Sequence, residues 1–332
     1  MTESRLRTLV ALAATGSVRG AASRLTVTES AVSASIGALA RELGVPLVEP
    51  VGRGLRLTAS GAVYARYARR VLGLLDEGAA AALQELDPER SRLRLAAVTT
   101  AGEHLLPTLL AAFRRRHPRV ALALEVAPSA PVWDLVSAHE VDLVIAGRPP
   151  AGVEAQVVAT KLNELVVAAA PSVAKAFDWA TTPWLLREQG SGIRTTVEAY
   201  LKAEDVTPPR LVLGSHGAVV AGAVAELGCT LVSRDAIADL VADGRLVEVP
   251  APGTPMRRPW HAVVGAHSGA ATWLFVAHLR ASGWRPHGPR PAAAGSLNPP
   301  TAPPTGGGMP RRSRSRVDGG GGDRPAPVKG ES

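Results

Sequence analysis

Two short helical segments joined by a tight turn constrain this chain more than any other feature of its sequence. Ser17 is placed to cap a helix over residues 18–25, and Thr28 is placed to cap a second helix over residues 29–43. Residues 26–27 leave room for only a tight turn between the two helices. This spacing predicts a helix-turn-helix whose second helix presents a polar face outward.

A predicted β-hairpin and a long helix follow. The hairpin has Gly52-Arg53-Gly54 at its turn, so residues 1–58 predict a winged helix-turn-helix domain. Residues 59–87 predict one long linker helix with an apolar stripe that consists of Val63, Tyr67, Val71, Leu74, Ala81 and Leu83. We expect this stripe to pair with a second copy of the helix, and packing against the helix's own domain is the alternative.

Residues 92–283 alternate predicted strands with predicted helices. A first series begins at the start of this region and a second at Leu165, so we expect a two-lobed α/β region with parallel sheets. A last strand and helix, residues 261–264 and 270–282, complete the second series. From residue 284 to residue 332 proline, glycine, alanine and arginine dominate, a composition that predicts a disordered tail.

The charge of the chain is unevenly distributed. Residues 1–70 contain ten arginines and four acidic residues, and residues 285–332 contain eight basic and three acidic residues. The total is +8, so the region between them has a net charge of −3. Two basic ends around an acidic centre favour a polyanionic partner, with nucleic acid as the first candidate. Surface arginines that serve solubility alone are the alternative.

Several classes of protein are disfavoured. One cysteine, Cys229, excludes an intramolecular disulfide and a cysteine-rich metal site. No segment reaches the ~18 consecutive apolar residues of a membrane-spanning helix. The apolar run after Arg7 is barely long enough for an export signal, and its pattern continues into a helix that carries Arg19 and Arg24, which argues against one. We therefore expect a cytoplasmic protein with no membrane partner. The sequence has no phosphate-binding loop, dinucleotide fingerprint, zinc-protease motif or nucleophile elbow in a suitable context, so no catalytic residue, metal site or cofactor is predicted.

Three loops of the α/β region combine hydroxyl groups with helix N-termini, where backbone N–H groups bind anions. Arg194, in the first turn of its helix, adds a cation. The predicted ligand-binding residues are Thr99, Thr100, Ser191, Gly192, Arg194, Ser215 and His216. We expect the ligand to be a small anionic metabolite. Ordinary helix capping is the competing interpretation for any one of the hydroxyl groups.

Residues 6–86 resemble the N-terminal half of LysR-type transcriptional regulators. The resemblance rests on Gly16-Ser17, Ala21-Ala22-Ser23-Arg24-Leu25, Ala31-Val32-Ser33, Ile36, Leu39, Glu42-Leu43-Gly44-Val45-Pro46-Leu47, Gly52-Arg53-Gly54, Leu57-Thr58 and Gly61. Residues 92–282 resemble the effector-binding domain of that family, which is similar in fold to periplasmic solute-binding proteins. The matching residues there are Leu105-Leu106-Pro107, His117-Pro118, Asp142-Leu143 and Leu186-Arg187-Glu188 with Gly190-Ser191-Gly192, the last group being most similar to regulators of carbon-fixation operons.

The resemblance implies a sequence-specific regulator of transcription that binds double-stranded DNA as a homodimer or homotetramer. A small-molecule effector would bind in the cleft between the two lobes and control it. A weakly specific or architectural DNA-binding protein without an effector is the alternative, and a solute-binding module is less favoured. The DNA-binding residues that the resemblance implies are Thr28, Glu29, Ser30, Ser33, Ser35, Arg53 and Arg56.

Glu29 departs from the family pattern, which commonly has Ser-Gln-Pro where this chain has Thr28-Glu29-Ser30. A carboxylate at this position has two interpretations. It can accept a hydrogen bond from a cytosine amino group in the major groove. It can instead stabilise the helix through the macrodipole, and it would then weaken binding to phosphates.

Overall fold

The computed structural model describes residues 1–52, 54–86, 91–153, 155–265 and 268–287. Its N-terminal part packs three helices and a hairpin around one core, as the sequence predicts. The elements are α1 (Glu3–Thr15), α2 (Val18–Leu25), α3 (Glu29–Leu43), β1 (Val48–Val51) and β2 (Gly54–Leu57). Both predicted caps are present: the Gly20 N–H donates to the Ser17 hydroxyl at 3.1 Å and the Ala31 N–H to the Thr28 hydroxyl at 3.2 Å. The core contains Leu9, Leu12, Ile36, Leu39 and Leu47.

The linker helix α4 (Ala59–Leu86) is 28 residues long and has two apolar faces. One face packs on α1, where Leu6 contacts Ala68 and Leu72 in a buried cluster. Of the predicted stripe, Val63, Tyr67, Val71, Leu74 and Ala81 are exposed on another face, with Leu75 exposed beside them, and the side chain of Leu83 lies outside the described residues. The packing of α4 on its own domain therefore leaves the stripe exposed. Pairing of the stripe with a second copy of the helix stays a prediction.

The first lobe is a six-stranded sheet covered by helices. Its elements are β3 (Arg92–Val98), a π-helical turn (Ala101–Leu105), α5 (Leu106–Arg116), β4 (Ala121–Ala127), α6 (Ser129–Ser137), β5 (Leu143–Ala146), β6 (Gln156–Lys161), β13 (Trp260–Val264), α11 (Ala270–Ala281) and β14 (Arg285–Pro286). The strand order is β14-β6-β13-β5-β3-β4. β3 is parallel to β4 and β5, whereas β13 is antiparallel to β5 and β6.

The second lobe is inserted between β6 and β13. Its elements are β7 (Glu164–Ala169), α7 (Pro171–Lys175), β8 (Trp184–Leu186), α8 (Gly192–Ala203), β9 (Arg210–Val212), α9 (His216–Val224), β10 (Thr230–Ser233), a 3-10 turn (Arg234–Ile237), α10 (Ala238–Ala242), β11 (Val247–Glu248) and β12 (Met256–Arg257). β7 is antiparallel to β10, β11 and β12, and β8 is parallel to β9. A parallel bridge between Trp184 and Cys229 connects these two groups of strands.

The structure corrects three predictions about this region. The sheets are not all parallel: the first-lobe sheet is mixed, because the chain returns to it at β13 antiparallel to β5 and β6, and in the second lobe β7 is antiparallel to its three partners. The last strand and helix therefore belong to the first lobe, and β6 itself was not predicted. The tail does not start at residue 284, since Trp284 is buried and β14 pairs with β6. The rest of the predicted tail, from residue 288, lies outside the described residues. Among the helices of the described residues, none combines the length and apolar character needed to span a bilayer.

Candidate functional site

The exposed side of α3 carries most of the predicted DNA-binding residues. Thr28, Glu29, Ser30 and Ser33 are exposed, and the Thr28 and Ser30 hydroxyls lie 2.9 Å apart. Ser35, in contrast, is half-buried and lies on the flank of the helix away from Ser33. Four of the five predicted α3 residues, the helix cap included, are therefore accessible from solvent.

Two ion pairs modify the charge of this surface. The Glu29 carboxylate lies 3.9 Å from Nε of Arg19, and both side chains are mostly exposed. In the hairpin, Arg56 lies opposite Glu49 and donates two hydrogen bonds to it, at 3.0 and 2.6 Å. The positive charge of Arg56 is therefore already compensated within the wing. Arg53 lies outside the described residues.

Two crossings of the chain join the lobes, and they are hydrogen-bonded to each other. Asn163 lies between β6 and β7, and Arg258 lies between β12 and β13. The Arg258 N–H donates to the Asn163 carbonyl at 2.8 Å, and the Asn163 amide donates to the Arg258 carbonyl at 2.9 Å. The Ser233 hydroxyl donates to Oδ1 of Asn163 at 2.6 Å. These contacts hold the two crossings together beside the cleft between the lobes, and we call this pair of crossings the hinge.

The cleft encloses about 630 Å³ of space, part of which is open to solvent. The predicted residues Thr99, Thr100, Ser191 and Gly192 line it. The remaining lining comes from both lobes and both crossings: Val98, Pro128, Ser129, Gly147, Arg148, Asn163, Leu165, Arg187, Ile193, Arg258 and Trp260.

Three arginines line the cleft, and within the described part of the chain no acidic side chain does. Arg187 is buried and donates two hydrogen bonds to Glu188, at 2.7 and 2.6 Å. Burial, the largest single influence, favours the neutral acid, but the hydrogen bonds and positive charge of Arg187 together with a backbone hydrogen bond lower the pKa of Glu188 overall, so the pair is ionic at neutral pH. Arg148 is exposed. The cleft is therefore electropositive.

Arg258 differs from the other two arginines. Its guanidinium is half-buried, donates to the Gly192 carbonyl at 3.0 Å, and forms no ion pair with any described residue. Burial lowers the pKa of Arg258, but an arginine remains charged at neutral pH. A half-buried cation without an anionic partner is energetically unfavourable unless a ligand supplies the negative charge.

Three predicted residues do not line the cleft. Arg194 turns along α8, where it pairs with Glu198 at 2.8 Å and donates to the Arg187 carbonyl at 3.2 Å. Ser215 caps α9 by accepting from the Ala218 N–H at 3.1 Å. His216 is buried next to His104, with ring centroids 4.8 Å apart. All three predictions placed a residue correctly at a helix N-terminus but could not fix the direction of its side chain.

Sequence reasoning missed the most informative residues of the cleft. Arg187 was part of a recognised motif, but its side chain was not assigned a role. Arg258 was missed because the second crossing was not recognised, and a basic residue just before a buried strand was the available signal. The structure also brings Glu103, His104 and His216 close together, a grouping that no local spacing in the sequence indicated.

Two family models match this chain. Residues 4–62 match the bacterial regulatory helix-turn-helix protein, lysR family, and residues 86–284 match the LysR substrate binding domain. The second match alone covers more than half of the chain. The chain belongs to the LysR family of bacterial transcriptional regulators. It is therefore a DNA-binding regulator with an effector-binding domain.

Individual relatives agree with this assignment. The regulator CbbR of Rhodospirillum rubrum is 31% identical over 274 residues, which cover 80% of this LysR-type chain and 91% of CbbR. The RuBisCO operon transcriptional regulator of Acidithiobacillus ferrooxidans is 30% identical over 295 residues, which cover 84% of this chain and 93% of that regulator, in agreement with the resemblance to regulators of carbon-fixation operons. The crystal structure of the LysR family regulator CbnR superimposes with a TM-score of 0.61 at 22% identity, covering 85% of this chain and 99% of CbnR.

The effector-binding domain has its own structural relative. The regulatory domain of CcmR from Synechocystis PCC6803, solved in complex with 2-PG, matches with a TM-score of 0.53 at 25% identity. The match covers 57% of this chain and 96% of that domain. The two-lobed architecture of this LysR-type regulator is thus shared with a domain that binds a small molecule.

Proposed function

We propose that this regulator responds to a small anionic effector, a carboxylate or a phosphate ester, that binds in the cleft between its lobes. The observation that carries this proposal is the half-buried guanidinium of Arg258, which has no carboxylate partner among the described residues. An anion in the cleft would compensate this charge. Charged hydrogen bonds to anionic ligands are stronger than neutral ones.

Other groups in the cleft favour the same ligand class. The hydroxyls of Thr99, Thr100, Ser129 and Ser191 can donate to anionic oxygens, and the first turn of α8 presents free backbone N–H groups. The related CcmR domain was solved with 2-PG. The hinge at Asn163 lets effector binding change the angle between the lobes, which would couple the cleft to the arrangement of DNA-bound subunits.

The effector proposal is tested by calorimetric titration of the full chain with 2-PG and a panel of small phosphate esters and dicarboxylates. Arg258→Gln should weaken binding of the best compound about 10- to 100-fold, since a hydrogen bond to a charged group contributes about 1.5–3 kcal/mol. Arg257→Gln is the matched control, because Arg257 is exposed and does not line the cleft. Equal affinity of the two variants would contradict the proposal.

For DNA, we propose that α3 reads base edges in the major groove through Glu29, Ser30 and Ser33, and that Thr28 and the wing arginines contact phosphates. The exposed polar face of α3 supports this assignment. Ser35 contributes from the flank of the helix. Arg56 would contribute less than Arg53, because Glu49 already pairs with it.

Fluorescence anisotropy with the DNA upstream of this protein's own gene, against scrambled DNA across a salt series, tests the DNA proposal. A preference of about 1000-fold or more for the upstream fragment indicates sequence-specific regulation. The Ser33→Ala, Arg53→Ala double variant should lose that preference while its oligomeric state is unchanged. Equal and strongly salt-dependent binding of both DNAs would favour the architectural alternative.

We further propose that two chains pair through the exposed stripe of α4, as a homodimer or as the dimer unit of a homotetramer, in the cytoplasm where the DNA is. The exposed side chains of Val63, Tyr67 and Val71 support this pairing, since they follow one another at helical spacing. Val71→Asp should dissociate the dimer in sedimentation experiments. Ala62→Asp, a change at an exposed position of the same helix on a side away from this stripe, should leave the assembly intact.

A further inference from the structure

Outside the effector cleft, one carboxylate and two imidazoles from different lobes come together. Glu103 and His104 belong to the π-helical turn of the first lobe, and His216 begins α9 in the second lobe. One possible ligand atom from each of the three side chains lies within 4.8 Å of the other two. The turn also contacts the 3-10 turn of the second lobe. The cluster therefore bridges the two lobes.

His216 is the fixed member of the cluster. Its side chain is only 3% exposed, and its buried Nε2 has no hydrogen-bond partner among the described residues. A buried polar atom without a partner is unusual and costs free energy. Burial, reinforced by His104 and Arg187, lowers the pKa of His216 to about 4, so the imidazole is neutral at neutral pH. A neutral imidazole is the form that binds metal ions.

We propose that Glu103, His104 and His216 bind a divalent transition-metal ion that links the two lobes, with Zn²⁺ as the best match. Two imidazole nitrogens and one carboxylate are a donor set that Zn²⁺ accepts, with a fourth position left for water or another ligand. Ca²⁺ and Mg²⁺ prefer oxygen ligands, so the two histidines disfavour them.

Binding requires a small rearrangement that the cluster can make. Zinc bonds of 2.0–2.1 Å in a tetrahedral site place ligand atoms about 3.3 Å apart, so the atoms that now lie within 4.8 Å must approach each other. The side chains of Glu103 and His104 are 47% and 38% exposed, so they have room to turn toward His216. Single π-helical turns are frequent at functional sites, which agrees with this role.

The position of the cluster gives the metal a regulatory consequence. Thr99 and Thr100, which line the cleft, directly precede the turn that carries Glu103 and His104. On the other side, Arg187 is close enough to His216 to influence its charge and also lines the cleft. An ion held by both lobes would fix their separation and thereby change effector affinity. This consequence rests on the proposed effector site, whereas metal binding itself does not.

The test is a titration of chelator-treated full-length protein with Zn²⁺, followed by calorimetry and by competition with a chromogenic chelator. We expect one strong site per chain. His104→Gln should weaken it about 100-fold or more, since even residues that only orient a metal ligand contribute about 10- to 100-fold to affinity. Because His104 is exposed, this variant should fold, which circular dichroism verifies. His287→Gln, which changes an exposed histidine elsewhere on the first lobe, is the matched control and should bind Zn²⁺ like wild type.

Three results would overturn or support the proposal without ambiguity. Equal Zn²⁺ affinity of the His104→Gln and His287→Gln proteins would place the ion elsewhere and make the proposal wrong. The absence of a strong Zn²⁺ site in wild type would also make it wrong, since the cluster would then be only a contact between two imidazole rings. Co²⁺ substitution should give the visible absorption of a tetrahedral site in wild type and not in His104→Gln. Arg258→Gln should retain Zn²⁺ binding, so failure of the effector proposal and failure of the metal proposal are distinguishable.

Discussion

The proposed DNA-reading surface and the proposed effector cleft differ in how many parts of the chain build them. The α3 residues proposed to read DNA lie within residues 28–35, held by one local cap. The cleft takes its lining from six separate stretches that belong to both lobes and both crossings. A local site depends on the packing of one small domain, whereas a dispersed site depends on strand order and on the hinge. Changes in one region should therefore leave the other intact.

The substitution expected to affect the two regions most differently is Gly61→Ala. A Cβ atom there would lie 1.9 Å from the Leu47 carbonyl oxygen, so α4 can approach the start of the wing only if this residue is glycine. Gly61→Ala should destabilise the N-terminal domain by about 3 kcal/mol, at the upper end of overpacking effects. Urea unfolding and DNA anisotropy measure the loss, and effector titration should be unchanged.

Gly78→Ala is the matched control for Gly61→Ala. Gly78 lies in the same helix, and a Cβ atom there would contact nothing within 4 Å. Its replacement should stabilise the helix by up to about 1 kcal/mol, because alanine has the higher helix propensity. If both alanine variants had the stability of wild type, the close contact at Leu47 would not constrain the domain.

A substitution at the hinge should have the opposite effect: it should weaken effector binding and leave DNA binding unchanged. Asn163 is buried, donates to the Arg258 carbonyl and accepts from Ser233. Asn163→Ala leaves both partners unsatisfied and should destabilise the effector-binding domain by about 2 kcal/mol, with weaker effector binding. DNA binding without effector should stay unchanged in anisotropy. Gln189→Ala removes an exposed amide of the second lobe and serves as control, and an equal effect of the two changes would contradict this role of the hinge.

The same contrast explains what the sequence could predict. Ser17, Thr28 and the apolar residues of α3 act on neighbours a few residues away, so the periodicity and the caps of the winged helix-turn-helix were correctly predicted. The return of the chain at β13 depends on pairing between strands about a hundred residues apart, which no local pattern encodes. The roles proposed for Arg258 and His216 depend on that return and on the contact between lobes. The sequence offered only a local signal for each, a basic residue before a buried strand and a histidine at a helix N-terminus, and the structure was needed to bring their partners together.

Capping residues allow a finer comparison because both regions use one. Thr28→Ala and Ser191→Ala should each cost about 1 kcal/mol of stability in their own domain. Aspartate at either position keeps the cap but adds a negative charge that repels an anion. Thr28→Asp should therefore fold normally and bind DNA weakly, and Ser191→Asp should fold normally and bind the effector weakly. Aspartate variants with wild-type binding would show that these hydroxyls only cap their helices.

Glu29 should show the smallest effect and should decide between the two interpretations of its carboxylate. Its pair with Arg19 is long and exposed, so Glu29→Gln should change stability by less than about 1 kcal/mol. If the carboxylate acts mainly on the helix dipole, its removal should raise affinity for upstream and scrambled DNA alike, about threefold, because one repulsive charge near the phosphates is lost. Anisotropy with Glu3→Gln as control, a first-turn acid of α1, measures this change. A loss confined to the upstream fragment would instead place Glu29 against a cytosine amino group.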